Sequence, residues 1–172
     1  MSVADLDLEQ CCERVNVAHV DSPVGRLTIV AGDSGLRGLV FAGETWSRDA
    51  RPGAHPLLTL AAEQLEEYFE GRRRVFDLPL ELVGTPFQQR AWRALASIPY
   101  GTTISYGEQA RRLGRPRAAR AVGAANACNP IAIVLPCHRV VGADGSLTGY
   151  GVGLEVKRAL LEHEARVVAG DV

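Results

Sequence analysis

The chain has 172 residues, of which 47% are hydrophobic and 23% are charged, and its formal net charge at pH 7 is −1. This composition is typical of a globular protein with one ordinary domain or two small ones. The sequence shows no run of 18 apolar residues and begins with an acidic segment, which argues against a membrane span and a signal peptide. We therefore expect a cytoplasmic protein without membrane contacts.

The charge is unevenly distributed along the chain. Residues 1–86 carry 8 basic and 14 acidic side chains, a net charge of −6, whereas residues 87–172 carry 11 basic and 6 acidic side chains, a net charge of +5. The second half is therefore suited to a polyanionic partner that the first half would repel.

The cysteines are Cys11, Cys12, Cys128 and Cys137, and they form no CxxC pair and no spacing with paired histidines. This pattern argues against a disulfide framework and a zinc site, so we expect reduced thiols and no bound metal. Residues 1–14 have no pattern and predict a loosely ordered segment or a short helix, with two surface thiols. We expect Cys128 to be a buried structural thiol.

The first half predicts a small α/β domain over residues 1–84. Two β-like runs at 15–20 and 27–31 flank a turn-rich segment and predict a hairpin, and residues 36–41 predict a third strand. Residues 45–55 predict a loop. Pro56 opens an apolar helical pattern that ends before Gly71. Residues 76–83 alternate, but Pro79 restricts them to an edge strand or an extended linker.

The second half, residues 85–172, predicts a mostly helical domain. Thr85 and Pro86 are an N-cap and a first-turn proline for a helix that stops before Pro99. Ser105 caps a helix to residue 113, and a third helix follows over 117–127, which together predict a helix-turn-helix at about 103–127. A last helix spans 154–164.

The helix-turn-helix is basic and its second helix carries small side chains. Five arginines and no acidic residue lie between Arg111 and Arg120. Phosphate contact is one interpretation. The alternative is that the alanines pack against the core while the arginines keep the surface soluble. Because the second helix offers few side chains for reading the major groove, DNA binding without sequence preference is favoured over a specific operator.

Residues 131–141 place Pro136, Cys137, His138 and Arg139 after an apolar run. Apolar burial makes a thiol inert, whereas a nearby base makes it a nucleophile. Neighbouring side chains of an extended chain point to opposite faces, so the thiol and the imidazole meet only through an unusual turn or a water. Either residue of the pair at 163–164 could be the partner of His138. These residues alone do not decide whether Cys137 is an inert buried thiol or an activated nucleophile.

The segment Pro136-Cys137-His138-Arg139-Val140-Val141 resembles the active-site signature of the O6-alkylguanine-DNA alkyltransferases. Other motifs of that family follow the same order, namely Ile98-Pro99-Tyr100-Gly101-Thr102, Ser105-Tyr106-Gly107, the small-residue run 118–123, Asn129-Pro130-Ile131-Ala132-Ile133 and Gly149-Tyr150-Gly151. The resemblance covers about residues 86–165, with a weaker similarity at 21–25. On these motifs the chain is identified as a member of the family.

The resemblance implies a ribonuclease H-like sheet-and-helix domain followed by a mostly α domain with a winged helix-turn-helix. It implies a methylated-DNA–protein-cysteine methyltransferase that acts once and needs no cofactor. The implied partner is double-stranded DNA containing O6-alkylguanine, with little sequence preference. We expect a monomer in solution, and the sequence leaves open whether molecules cluster on DNA.

The resemblance also assigns catalytic roles within and around an active-site loop at 129–141. Cys137 accepts the alkyl group, His138 removes the proton of the Cys137 thiol through a water, and Glu164 orients His138. Asn129 ties the helix-turn-helix to the active-site loop. Tyr106 donates to guanine N3 as the base leaves.

Because the lesion lies inside a duplex, the nucleotide must rotate out of the stack. By resemblance, Arg120 fills the space that it leaves, and Ala119, Ala121 and Gly123 form a thin surface for the minor groove. Arg117 is expected to bind the same DNA through its positive charge.

A guanine pocket is implied at Val140, Tyr150, Gly151 and Val152, and we expect it to be sized for one extruded base. The family usually has paired glycines after this tyrosine, so Val152 is a departure. We hypothesise that it narrows the rim and slows the transfer of bulky alkyl groups. Arg139 is interpreted as an internal salt-bridge residue.

Three alternatives remain. A non-catalytic alkylguanine-flipping damage sensor of related sequence would lack Cys137. A cysteine hydrolase would turn over esters or amides, and a transcriptional regulator would prefer one duplex sequence.

Overall fold

The computed structural model describes residues 15–44, 46 and 50–171. The strands are β1 (Val15–Ser22), β2 (Gly25–Ala31), β3 (Leu36–Phe41), β4 (Ala50–Pro52), β5 (Ile104–Ser105) and β6 (Val140–Val141). The α-helices are α1 (Pro56–Phe69), α2 (Pro86–Leu95), α3 (Tyr106–Arg112), α4 (Ala119–Ala127) and α5 (Leu154–Ala169). A short 3-10 helix covers Cys137–Arg139. The predictions for residues 1–14, including Cys11 and Cys12, lie outside the described residues.

The first four strands form one sheet in the order β3-β2-β1-β4. β1 and β2 are the predicted hairpin, closed where Ser22 pairs with Gly25, and β3 pairs antiparallel with β2. These three strand predictions are confirmed. The prediction of a loop over 45–55 is wrong for Ala50–Pro52, which pairs in parallel with β1. Three residues are too few to show an alternating pattern, so only the backbone pairing reveals this strand.

Helix α1 packs one face on the sheet. Its N-terminus is fixed by Pro56 and by the His55 ring, whose Nδ1 accepts a hydrogen bond from the Leu57 N–H at 3.1 Å. Its buried face is apolar and includes Leu58, Leu65 and Tyr68. The chain then leaves through Gly71 at a φ of 74°. Residues 76–83 are extended, with a single bridge between Leu36 and Leu80, so the linker interpretation is confirmed.

Helix α2 begins with a complete capping box. The Thr85 hydroxyl accepts from the Gln88 N–H at 3.3 Å, and the Gln88 side chain accepts from the Thr85 N–H at 2.9 Å. Pro86 occupies the first turn, where its missing N–H costs nothing. The opening of this helix is therefore fixed by three neighbouring residues, and the predicted roles of Thr85 and Pro86 are confirmed.

Helices α3 and α4 form the helix-turn-helix. A reciprocal pair of buried amides joins them, with Asn126 Nδ2 donating to Gln109 Oε1 at 2.8 Å and Gln109 Nε2 donating back at 3.3 Å. The Trp92 indole of α2 donates to the Ala125 carbonyl at 2.7 Å. Helix α4 begins at Ala119 rather than at 117, because Arg117 lies in the turn before it.

Helix α5 is longer than predicted. It continues past Glu164 to Ala169 and ends at Gly170, which adopts a φ of 81°. Glu164 therefore lies inside a helix and not at its end. In the part of the chain that the structure describes, no helix combines the length and the apolar character needed to cross a bilayer.

One apolar core runs from the sheet to the segment around Cys137. Strand β3 binds this segment directly, since the Leu39 N–H donates to the Pro130 carbonyl at 2.8 Å and the Ala132 N–H donates to the Leu39 carbonyl at 3.2 Å. Backbone hydrogen bonds thus join strand β3 to the segment at 129–141. The first half of the chain is therefore in direct contact with the segment that carries Cys137.

Candidate active site

Two tight turns shape the backbone before Cys137. Ile133 has a φ of 70° and stands at the centre of a three-residue turn closed by the Val134 N–H and the Ala132 carbonyl at 2.8 Å. This conformation is strained for a β-branched residue. Pro136, with φ −79° and ψ 67°, centres a second turn in which the Cys137 N–H donates to the Leu135 carbonyl at 2.8 Å. These turns direct the chain into the 3-10 helix that carries Cys137 and His138.

The thiol of Cys137 is only 6% exposed and lies in a narrow cleft. The residues that line this cleft come from both halves of the chain: Leu39, Phe41, Glu44, Asn126, Ala127, Asn129, Ala132, Cys137, Tyr150, Gly151 and Val152. The cleft volume is about 30 Å³, room for one or two waters. In this conformation the enclosed part of the cleft is smaller than the pocket for one extruded base that the sequence predicts.

Asn129 holds the thiol in place. Its Nδ2 donates to the sulfur of Cys137 at 3.2 Å and to the Leu135 carbonyl at 2.7 Å, while its Oδ1 accepts from the Ile131 N–H at 3.1 Å. Because Asn129 follows α4, this side chain joins the helix-turn-helix to the loop that bears the thiol.

Burial raises the pKa of the Cys137 thiol, and this effect outweighs the interactions that oppose it. The Asn129 amide and the charge of Lys157 both favour the thiolate. The Tyr150 hydroxyl is buried beside the thiol and makes no hydrogen bond of ordinary geometry with a described residue. In this state of the site the thiol is protonated at neutral pH.

A buried carboxylate is the centre of the hydrogen-bond network behind the thiol. Glu164 is fully buried, and its Oε1 lies 2.7 Å from His138 Nε2. The Tyr68 hydroxyl donates to Oε1 at 2.8 Å, and the Gly101 N–H donates to Oε2 at 2.9 Å. Arg139 donates to both oxygens, through Nη2 and Nε, at 2.9 Å each.

Burial alone would raise the pKa of Glu164, but the hydrogen bonds and charges of His138 and Arg139 outweigh it and lower the pKa to about 2. Glu164 is therefore a carboxylate at neutral pH and can only accept hydrogen bonds. The interpretation of Arg139 as an internal salt-bridge residue is confirmed, and its Nη1 also donates to the Ile98 carbonyl at 2.7 Å.

The carboxylate fixes the tautomer of His138. Since Glu164 only accepts, the imidazole proton lies on Nε2, and Nδ1 keeps its lone pair. That Nδ1 is buried and has no hydrogen-bond partner among the described protein atoms. Burial lowers the pKa of His138 despite the neighbouring carboxylate, so the ring is neutral near pH 7. A neutral ring with a free lone pair is a competent base.

Lys157 is the only lysine of the sequence, and sequence reasoning overlooked it. It is fully buried on α5, and its Nζ donates to the Val140 carbonyl at 2.6 Å and the Thr148 carbonyl at 2.9 Å. Its ammonium lies 5.7 Å and 5.8 Å from the ring centres of Tyr106 and Tyr150. Lys157 thus places a positive charge near the thiol and holds the backbone at Val140 and Thr148.

A signal for Lys157 exists in the sequence. It precedes Glu164 by seven residues, which is two helical turns, so both side chains share one face of α5. A lone lysine on the inner face of a helix indicates a buried charge with a specific role. No comparable local signal identifies Tyr68, which lies 96 residues away from the carboxylate that it binds.

The predicted pocket residues occupy different positions. Gly151 and Val152 line the cleft, and Tyr150 meets Phe41 edge to face at 6.3 Å between ring centres. Val140 is fully buried in β6 and does not line the cleft in this conformation. The Tyr106 hydroxyl donates to the Thr148 carbonyl at 2.9 Å, so it must exchange this partner before it can donate to a substrate.

The small-residue helix α4 presents a thin outer surface. Arg120 and Ala121 are exposed, Ala119 and Gly123 are half-buried, and Arg117 is exposed in the preceding turn. Two other arginines of the helix-turn-helix pair with Glu108 on α3: Arg111 and Arg112. None of the ion pairs among the described residues involves Arg120.

Cys128 lies at the end of α4 and is exposed, so the prediction of a buried structural thiol is wrong. The helix ends at Ala127 and turns its capping residue outward, which local hydrophobicity does not reveal. Within the described ranges, no three His, Cys, Asp or Glu side chains converge as a metal site requires.

Two family models cover most of the chain. Residues 16–82 match the ribonuclease-like domain and residues 86–166 match the DNA binding domain of 6-O-methylguanine DNA methyltransferase. A methylated-DNA–protein-cysteine methyltransferase of Mycobacterium tuberculosis is 51% identical over 165 residues, which cover 92% of this chain and 97% of that protein. A relative of the same name from Methanosarcina barkeri is 44% identical over 153 residues, which cover 84% of this chain and 94% of that protein.

Solved structures agree with this similarity. The crystal structure of Mycobacterium tuberculosis OGT in complex with DNA superimposes with a TM-score of 0.81 at 51% identity, covering 88% of this chain and 94% of that chain. The O6-methylguanine-DNA methyltransferase of Pyrococcus kodakaraensis gives a TM-score of 0.61 at 28% identity, with coverages of 87% and 98%. The predicted two-part fold, a ribonuclease-like sheet domain before a helical DNA-binding domain, is confirmed.

The Glu164 network predicts a specific dependence of stability on pH. Because the pKa of Glu164 is lowered from 4.5 to about 2 in the folded state, its stabilising effect is present above pH 4.5 and is lost as the pH falls towards 2. We expect Glu164→Gln to lower the free energy of unfolding by about 3 kcal/mol at neutral pH, since it leaves Arg139 buried without its partner.

Urea unfolding at a series of pH values measures this difference. The matched control is Glu162→Gln, an exposed position on the same helix. The difference between wild type and Glu164→Gln should shrink between pH 4.5 and 2. A difference that does not vary with pH, or an equal loss in the control, would contradict the role of Glu164.

Proposed function

The chain belongs to the 6-O-methylguanine DNA methyltransferase family, and from this membership we propose that it repairs DNA by transferring an alkyl group from O6 of guanine to Cys137. The observation that carries the proposal is the position of the Cys137 thiol. It lies in a cleft, and the next residue in the sequence is His138, whose ring is buried against Glu164. No cofactor takes part. Because the thioether product is stable, each molecule acts once.

The first step is removal of the thiol proton. His138 is neutral with its lone pair on Nδ1, so it accepts the proton from Cys137 through a bridging water. Glu164 then compensates the positive charge of the imidazolium at 2.7 Å. Asn129 and Lys157 favour the thiolate that remains.

The second step is attack of the thiolate on the alkyl carbon. A bond forms between sulfur and carbon, the bond between carbon and O6 breaks, and its electron pair passes to guanine. Tyr106 reduces the negative charge on the leaving base by donating to N3. In the free protein this hydroxyl donates to the Thr148 carbonyl, so entry of the base replaces one acceptor with another.

The DNA is bound through the helix-turn-helix, with little sequence preference. The damaged nucleotide rotates out through the minor groove, and Arg120 fills the space in the stack. The thin surface of α4, with Ala119, Ala121 and Gly123, permits close approach to the groove. The protein acts as a monomer on duplexes containing O6-alkylguanine.

The rim of the cleft selects the size of the alkyl group. Val152 is half-buried at the position where the family usually has glycine, and its side chain lines the cleft. It narrows the rim, so methyl groups are transferred faster than bulky ones such as benzyl.

Intact mass spectrometry tests the transfer. After incubation with an O6-methylguanine duplex, the wild-type protein should gain one methyl group and then stop. The gain should disappear in Cys137→Ala and persist in Cys128→Ala, which removes an exposed thiol. Absence of a mass gain, a gain that survives in Cys137→Ala, or continued turnover would each contradict the proposal, and the first would favour a non-catalytic damage sensor.

A second prediction concerns Arg120. Flipping a base costs a few kcal/mol, so Arg120→Ala should slow the transfer from duplex DNA by about tenfold or more. The reaction with the free base O6-methylguanine should keep its rate, because no stack needs to be filled.

Single-turnover rates on both substrates measure this separation. The charge-matched control is Arg166→Ala, an exposed position on α5 outside the helix-turn-helix. Equal losses on duplex and free base would mean that Arg120 supports the fold, and a comparable duplex loss in Arg166→Ala would indicate a general effect of charge.

A further inference from the structure

One wall of the cleft comes from the first half of the chain and has no role in the proposed reaction. Leu39 and Phe41 of β3 and Glu44 in the turn after β3 line the same cleft as the Cys137 thiol. The edge-to-face contact between Phe41 and Tyr150 brings this wall against the rim. Glu44 is the only acidic residue among the described residues that line the cleft.

The carboxylate of Glu44 is held in position by the end of strand β3. Its Oε2 accepts a hydrogen bond from the Phe41 N–H at 3.0 Å, and its own N–H donates to the Phe41 carbonyl at 3.1 Å. No ion pair joins Glu44 to another described residue. The negative charge at the cleft is therefore fixed and is not neutralised by a described cation.

The charge of Glu44 acts on the groups inside the cleft. Burial and the charge of Cys137 raise the pKa of Tyr150, and the charge of Glu44 adds to this effect. Glu44 itself is exposed, so solvent weakens its repulsion, but a second anion placed in the cleft beside it would still be repelled.

We propose that Glu44 is a specificity-determining residue that disfavours anionic O6 substituents, such as carboxymethyl, relative to neutral ones. The inference rests on the proposed function, since the cleft must first be the site of alkyl transfer. The bonds that form and break are those of methyl transfer: sulfur bonds to the methylene carbon, and that carbon leaves O6. Only the charge near the cleft differs.

The test compares two substrates of nearly equal shape. O6-carboxymethylguanine carries a negative charge, whereas O6-carbamoylmethylguanine replaces the carboxylate with a neutral amide. The ratio of their single-turnover rates in the same duplex isolates the effect of charge. Glu44→Gln keeps an oxygen acceptor for the Phe41 N–H and removes the charge, so this ratio should rise about two- to fivefold.

The matched control is Glu63→Gln, which removes an exposed negative charge from helix α1. Glu44→Lys should raise the ratio further than Glu44→Gln. If transfer from one substrate is too slow to measure, the affinities of both duplexes are measured instead, for the Cys137→Ala protein and for the Cys137→Ala, Glu44→Gln double variant. The ratio of the two affinities should then rise in the double variant.

A ratio that is unchanged in Glu44→Gln, or that rises equally in Glu63→Gln, overturns the role of Glu44. Wild-type transfer from O6-methylguanine is measured beside these substrates. Its absence would contradict the proposed function itself, whereas its presence with an unchanged ratio would contradict only the inference about Glu44.

Discussion

The buried carboxylate of Glu164 constrains the rest of the site. A charge removed from water is costly unless hydrogen bonds and opposite charges surround it. Glu164 receives them from α1 through Tyr68, from the turn after α2 through Gly101, and from the 3-10 helix through His138 and Arg139. Four separate parts of the chain must therefore meet at one point, and the orientation of His138 is set before any substrate arrives.

Before a substrate binds, the base is neutral and the thiol keeps its proton. His138 is neutral with its free nitrogen on Nδ1, while burial keeps the Cys137 thiol protonated. A thiol that can be used only once is protected in this state, because the thiolate is the reactive form. The small volume of the cleft adds to this protection, because it leaves room for only one or two waters beside the thiol. Lys157 binds the carbonyls of Val140 and Thr148 and places its positive charge near the thiol.

Local features of the sequence predict local structure well. The capping box at Thr85, the hairpin closed at Ser22 and Gly25, and helix α1 after Pro56 all follow from neighbouring residues. The motif resemblance, rather than spacing, directs attention to Cys137, His138 and Glu164. Contacts between distant residues were not predictable, such as Tyr68 with Glu164 or β3 with the active-site loop. The boundary near residue 84 stays a prediction, because one apolar core joins both halves.

The protonation state of His138 tests the account most directly. Long-range proton–nitrogen correlation spectra of nitrogen-15-labelled protein distinguish the two neutral imidazole tautomers from the imidazolium, and a His138→Gln variant assigns the signal among the four histidines. The account predicts a neutral ring at pH 7 that carries its proton on Nε2, with a pKa below that of an exposed histidine. A ring that is charged at pH 7, or that carries its proton on Nδ1, would contradict it, because neither form could accept the Cys137 proton at Nδ1.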